Sequence, residues 1–125
     1  MSFSERRKYP RVHEAVSCQV SLGAGQFRTV TKNLSCGGTL CSLAEEVPPM
    51  TKLELVLDLP AVHGSSTPGR QIVHCVGVVV RQDRLPLEEH AFLTAIYFSD
   101  LKPEDRRRIG EFILQSMFSH DRRRS

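Results

Sequence analysis

Two short segments in the N-terminal part of the chain combine residue types that bind phosphates and purine bases. The first, residues 7–11 with the sequence RKYPR, has the spacing RxxxR and directly follows another arginine. The second, residues 33–38 with the sequence NLSCGG, has the spacing NxSxxG. Arginine grips phosphate oxygens, or the O6 and N7 atoms of guanine, through two parallel hydrogen bonds, while asparagine and serine offer short, directional polar groups. We call these segments the arginine motif and the turn motif.

The two motifs together predict a ligand site that neither would indicate alone. Basic N-terminal arms are usually solvated, and turns of this polar composition usually do no more than reverse the chain. The glycines of the turn motif are expected to allow unusual backbone dihedrals and the close approach of a ligand, because they carry no Cβ atom. The predicted ligand-binding residues are Arg6, Arg7, Arg11, Asn33, Ser35, Gly37 and Gly38.

The elements that would position these residues are mainly strands. Residues 53–59 alternate leucine with other residues, which is the period of a half-buried strand, and residues 72–80 are rich in valine. Together with residues 16–22, 27–31, 37–43 and 91–98 they make six short strands at fairly regular spacing. This pattern is typical of a small antiparallel barrel or sandwich.

A change of period after residue 100 predicts one amphipathic helix that packs across the strands. Pro103 suits its first turn. The apolar face is expected to consist of Ile109, Phe112, Ile113 and Met117. The arginines at 106–108 are assigned to the solvated side of the helix. The chain is therefore divided into a basic ligand-binding arm (1–13), a barrel with its helix (14–118) and a flexible basic tail (119–125).

The order of the motifs and elements resembles the PilZ family, whose signature pairs RxxxR before the first strand with (D/N)xSxxG after the second. The resemblance covers nearly the whole chain, and both motifs are intact. It implies a mainly β protein, a six-stranded antiparallel β-barrel with a C-terminal amphipathic helix. It also implies that the chain is a receptor for the dinucleotide cyclic di-GMP, relaying its level to an unidentified effector protein. The family's ligand-binding positions correspond to Arg7, Arg11, Asn33, Ser35 and Gly38.

Arg6 adds an expectation about stoichiometry. Cyclic di-GMP can associate into an intercalated dimer, which presents more phosphates and more base surface than one molecule. A guanidinium beside Arg7 can stack on an outer guanine or reach the second molecule. We therefore expect two ligand molecules per chain, with Arg6 favouring the second.

Other classes of protein fit the residues less well. No catalytic motif is present, so neither an enzymatic activity nor a catalytic residue is predicted. The four cysteines and five histidines lack metal-binding spacing, and no metal or cofactor is expected. The sequence shows no apolar run that could span a membrane and no signal peptide, which favours a cytoplasmic protein with reduced thiols.

Two alternative functions stay open at this point. The first is a PilZ-like adaptor that binds proteins and takes the dinucleotide weakly or not at all, although the intact motifs argue against it. The second is a small β-barrel that binds single-stranded nucleic acid. Such barrels usually carry aromatic stacking platforms beside basic residues, whereas this chain has 6% aromatic residues and no tryptophan. Nucleic acid is therefore an unlikely partner.

Overall fold

The computed structural model describes residues 10–64, 68–86 and 91–124, with side chains described as far as residue 119. These residues form six strands followed by one helix. The strands are β1 (Ser17–Leu22), β2 (Gly25–Leu34), β3 (Gly38–Leu43), β4 (Lys52–Leu59), β5 (Gln71–Arg84) and β6 (Phe92–Asp100), and the helix is α1 (Pro103–Arg124).

The strands close into a barrel in the order β1-β2-β3-β6-β5-β4, with β4 returning to β1. Every pairing is antiparallel. Closure removes the unpaired sheet edges that an open sandwich would present. The predicted six-stranded antiparallel barrel with a C-terminal helix is confirmed.

Alternating side chains build the core of this barrel. Along β4, Leu53, Leu55, Leu57 and Leu59 are all buried, while the intervening residues are exposed or half-buried. Helix α1 adds Ile109, Phe112 and Ile113 to the same apolar cluster. The helix is thereby fixed to the barrel by the hydrophobic face that its sequence predicts.

Two strands are longer than the sequence indicates. β2 continues through Leu34, and β5 continues to Arg84 by way of a register shift between Val79 and Arg81. The polar end of β5 is held by Gln82, whose side chain accepts a hydrogen bond from the Val47 N–H and donates to the Thr94 hydroxyl. A bulge and polar residues hide such an extension from a search for alternating hydrophobicity.

Helix α1 also differs from expectation in two respects. Met117 is 43% exposed, and Ser116 is buried in its place. Position 116 follows Ile109 by seven residues, which is about two helical turns and returns to the same side of the helix. The segment predicted as a flexible tail, residues 119–125, is helical as far as Arg124.

Within the described ranges, no helix has the length and hydrophobicity that crossing a membrane would require.

Candidate ligand-binding site

A pair of backbone hydrogen bonds links the residue after the arginine motif to the strand end before Ser35 of the turn motif. The Val12 N–H donates to the Leu34 carbonyl over 3.0 Å, and the Leu34 N–H donates back over 2.9 Å. Because the bridge is antiparallel, exposed Arg11, just before Val12, lies on the side of Ser35, just after Leu34. The structure therefore places the end of one motif beside the other. Arg6 and Arg7 lie outside the described residues.

Val12 and Thr31 anchor the segment that follows the arginine motif. Val12, which the sequence analysis assigns to the arm, is buried in the core. The Thr31 hydroxyl, on β2, accepts a hydrogen bond from the Val16 N–H at 3.0 Å and donates to the Glu14 carbonyl at 2.7 Å. Thr31 is only 2% exposed. Thr31 is not among the residues predicted from the sequence, although a polar side chain at an inward-facing position of a strand is a signal for it.

The Ser35 hydroxyl is occupied within the turn motif itself. Its Oγ accepts hydrogen bonds from the backbone N–H groups of Gly37 (3.1 Å) and Gly38 (3.2 Å), and it donates to the Gly38 carbonyl (3.3 Å). A serine hydroxyl has one donor and two acceptor positions, so these contacts use all of them. Ser35 is also buried. Its position indicates that it shapes the turn and orients the turn's backbone.

Asn33 lies where β2 shifts its register against β3, between Thr31 and Asn33. Its side chain is largely buried, and its backbone carbonyl accepts a hydrogen bond from the Thr39 hydroxyl at 2.7 Å. The register shift and the threonine hold this end of β2 in a fixed position beside the turn. Asn33 and Ser35 thus lie at the same end of β2, and their predicted contacts with a ligand stay predictions.

Gly38 is required by packing. A Cβ atom at this position would stand 2.3 Å from the carbonyl oxygen of Ile96 on β6, which no side chain could tolerate without a shift of backbone. Its φ angle does not lie in the left-handed region, so the unusual dihedral expected from the sequence is not the reason for glycine here. The β6 backbone also bonds to the turn directly, since the Phe98 N–H donates to the Gly37 carbonyl at 2.9 Å.

The first turns of helix α1 also contact the turn motif. The Arg106 Nη1 donates to the Cys36 carbonyl over 3.1 Å, and the Cys36 thiol lies 3.7 Å from the Arg106 carbonyl. Arg106 is half-buried by this contact, so its assignment to the solvated side of the helix is wrong. Arg108 is also drawn inward, through a 2.7 Å ion pair with buried Asp105. Arg107 is the exposed member of the triplet.

Burial keeps the four thiols protonated, which makes them weak nucleophiles. Burial raises the pKa of Cys18, Cys41 and Cys75 to about 12. Burial also raises the pKa of Cys36, in opposition to the nearby Arg106 guanidinium, which lowers it. All four are therefore neutral thiols at physiological pH.

Two other features of the described residues lie apart from the motifs. An open groove of about 580 Å³ runs between residues 62–64 and the second half of α1, and none of the predicted site residues line it. Among the described side chains, no cluster of histidine, cysteine, aspartate and glutamate has a geometry that could hold a metal ion. The candidate site built from the two motifs is therefore separate from this groove.

The family profile described as the PilZ domain matches residues 5–115, which is most of the chain. The chain belongs to the PilZ family. Comparison with curated proteins finds no match. The match to the family spans both motifs, the barrel and most of helix α1.

Solved structures with the same fold include several PilZ proteins. The inhibitor of motility MotI (DgrA) of Bacillus subtilis is 21% identical with a TM-score of 0.77, over 91% of this chain and 52% of that one. The PilZ domain of Escherichia coli YcgR, solved with c-di-GMP, is 14% identical with a TM-score of 0.64, over 96% of this chain and 98% of that one. A c-di-GMP complex of MrkH from K. pneumonia is 17% identical with a TM-score of 0.67, over 94% and 55%.

The chain thus spans about half the length of the MotI and MrkH chains. Its coverage of the isolated YcgR domain is nearly complete. These likenesses establish the PilZ barrel as the fold of this chain.

Proposed function

We propose that this PilZ domain is a receptor for cyclic di-GMP, which it binds without chemical change. The observation that carries the proposal is the bridge between Val12 and Leu34, which holds the C-terminal end of the arginine motif beside the turn motif. The bridge leaves exposed Arg11, the last residue of the arginine motif, next to the turn motif, which supports a shared binding surface. The same dinucleotide is present in the YcgR and MrkH complexes, which share the fold.

The residues divide into two roles in this proposal. Arg7 and Arg11 bind the ligand's phosphates or guanines, because their planar forks suit both groups. Ser35 orients the backbone of the turn, and Gly37 and Gly38 allow the ligand and β6 to approach it. Asn33 supplies a hydrogen-bonding amide at the edge of the turn.

Calorimetric titration with cyclic di-GMP tests the proposal. Arg7→Ala and Arg11→Ala should each weaken binding at least tenfold, because a charge-assisted hydrogen bond contributes about 1.5–3 kcal/mol. Arg28→Ala is the matched control, since Arg28 is an exposed arginine on β2 outside both motifs. It should bind like the parent protein. If neither Arg7→Ala nor Arg11→Ala changes the affinity, the ligand does not occupy this site.

The stoichiometry of two ligand molecules per chain is a further part of the proposal. Its support is the second arginine, Arg6, beside Arg7. Titrations of the parent and of Arg6→Leu at one salt concentration should give two ligands and one ligand per chain, respectively. A parent that saturates at one molecule would reject the dimeric ligand. Two molecules bound to Arg6→Leu would reject the role of Arg6.

The receptor would transmit its state to a partner protein, and we place it in the cytoplasm, where this second messenger is found. Single-stranded RNA serves as the control ligand in the same titration. Binding of RNA, with no heat from cyclic di-GMP, would favour the nucleic-acid alternative. If neither RNA nor cyclic di-GMP binds, the result would favour the alternative of a protein adaptor that binds no dinucleotide.

A further inference from the structure

Tyr97 on β6 stands on the outer face of the barrel, next to the turn motif. Its neighbours along the strand, Ile96 and Phe98, are buried in the core. Because side chains alternate along a strand, Tyr97 points away from the core, and it is 57% exposed. An exposed tyrosine offers an aromatic face and a polar hydroxyl to a ligand.

The strand register puts Tyr97 directly opposite the last glycine of the turn motif. Tyr97 pairs with Gly38 of β3. Directly opposite residues of an antiparallel pair have their Cα atoms about 4.5–5.5 Å apart. The Phe98 N–H, one residue further, bonds to the Gly37 carbonyl. The aromatic side chain therefore begins one strand away from the predicted ligand-binding turn.

On the β3 flank of Tyr97, the paired residue contributes no side chain. Gly38 has no side chain, and the Ile96 carbonyl prevents any residue with a Cβ atom from replacing it. On the opposite flank Tyr97 pairs with Val78 of β5, which is half-buried and apolar. Tyrosine and valine thus form a continuous apolar surface that borders the turn.

We propose that Tyr97 is an additional ligand-binding residue, which stacks on one guanine of the dinucleotide held by the two motifs. The inference rests on the proposed function. The motifs supply arginine and backbone groups for the phosphates and base edges, whereas a purine also has a π-face, which aromatic side chains cover. Tyr97 supplies an aromatic surface from β6, and it belongs to neither signature motif.

The affinity test compares aromatic and non-aromatic substitutions. Tyr97→Ala should weaken the binding of cyclic di-GMP by about 5- to 150-fold, which is the range for loss of one base-aromatic stack. Tyr97→Phe retains the ring and should stay within about twofold of the parent. Phe118→Ala is the matched control, because Phe118 is an exposed aromatic residue on α1 away from the motifs. Thermal melting of each variant verifies its fold.

Tyrosine fluorescence gives an independent measurement, since the chain has two tyrosines and no tryptophan. In Tyr9→Phe the emission comes from Tyr97 alone, and stacking on guanine should quench it as ligand is added. Unchanged affinity of a folded Tyr97→Ala, or unquenched Tyr97 emission at saturation, would overturn this inference while leaving the receptor intact. A parent protein that binds no cyclic di-GMP would instead overturn the proposed function, and this inference with it.

Discussion

The turns that join β1 to β2 and β2 to β3 look alike in sequence but are held in the structure in very different ways. The first turn contains Gly23, which has a φ angle of 58° and nothing within 4 Å of a Cβ atom. The second turn is bonded internally by Ser35. It is also contacted by the Phe98 N–H of β6 and by Arg106 of the helix, and the Val12 bridge adjoins it. Three described segments therefore converge on the second turn.

The comparison separates two reasons for which a turn contains glycine. Gly23 is needed because a left-handed φ angle disfavours any residue with a side chain, and the surrounding space is empty. Gly38 is needed because another strand lies against it. A turn that only reverses the chain needs the first property. A turn that presents its backbone to a ligand from a fixed position needs the second, together with contacts that keep it in place.

The largest effect should follow from a side chain at Gly38. In Gly38→Ala the new Cβ atom would meet the Ile96 carbonyl, so β3 or β6 must move. Overpacking of this kind costs about 1–3 kcal/mol, which should lower the melting temperature by several degrees. Binding of cyclic di-GMP should be lost or greatly weakened, because the displaced backbone belongs to the turn motif. Thermal melting and calorimetry measure the two effects.

Gly25→Ala is the control for this substitution. Gly25 is the first residue of β2, directly after the other turn, and a Cβ atom there would be at ordinary contact distance, 3.4 Å, from its nearest neighbours. The variant should melt and bind like the parent. Equal tolerance of both substitutions would show that the close approach of β6 does not constrain the turn motif.

A smaller effect is expected from Thr31→Val, which preserves shape but removes the hydroxyl group. The substitution deprives the Val16 N–H of its acceptor and the Glu14 carbonyl of a donor, in a buried setting. It should cost about 1–3 kcal/mol of unfolding free energy and weaken ligand binding, because the segment that follows the arginine motif loses two of its hydrogen bonds to β2, although the Val12–Leu34 bridge remains. Denaturant unfolding and calorimetry measure both.

Thr51→Val distinguishes this attachment from the general cost of losing a threonine. The Thr51 hydroxyl donates to the Pro48 carbonyl at the protein surface, where water can replace it. The change in stability should be small and the affinity unaltered. If Thr31→Val binds the dinucleotide as the parent does, the position of the arm does not depend on Thr31.

The next largest effect on ligand affinity should come from the contact between helix α1 and the turn motif. Arg106→Ala removes the hydrogen bond to the Cys36 carbonyl, and it should weaken ligand binding by about threefold to tenfold, as expected for a bond of roughly 0.5–1.5 kcal/mol. Arg107→Ala is the matched control, because Arg107 is 54% exposed and its pair with Glu111 is 4.0 Å long. A pair of that kind contributes little. Equal affinities of Arg106→Ala and Arg107→Ala for the ligand would show that the contact between helix α1 and the turn motif does not contribute to binding.

The fold was predictable because its strongest signals are local. The alternation of residues 53–59 and the helical spacing of Ile109, Phe112 and Ile113 each report burial of one face, and the structure confirms both. The extension of β5 to Arg84 was missed, because residues held by a bulge and by polar side chains have no periodic hydrophobicity.

The composition of the site was predictable only in part. Spacing identifies Ser35 and Gly38, but the reason for each appears only when other parts of the chain are added: an internal hydrogen-bond pattern for Ser35 and the Ile96 carbonyl for Gly38. Thr31 and Arg106 reach the site through contacts between residues 17 and 70 positions apart, which no local pattern records. The predicted roles of Arg6 and Arg7 stay predictions, since neither residue is described.

The smallest effect concerns Cys36, which offers a probe of the turn itself. Cys36 is half-buried, whereas Cys18, Cys41 and Cys75 are buried in the barrel with pKa values raised to about 12. Since the thiolate is the reactive form and the pKa of Cys36 is also raised, alkylation of the folded protein should be slow at pH 7. The rate should rise about tenfold per pH unit below that pKa, with Cys36 modified first.

Cyclic di-GMP should slow this reaction by covering the turn, and mass spectrometry of the alkylated peptides measures the rate at each cysteine. Equal rates with and without saturating ligand would place the ligand away from Cys36, and modification of a barrel cysteine before Cys36 would contradict the burial that separates them.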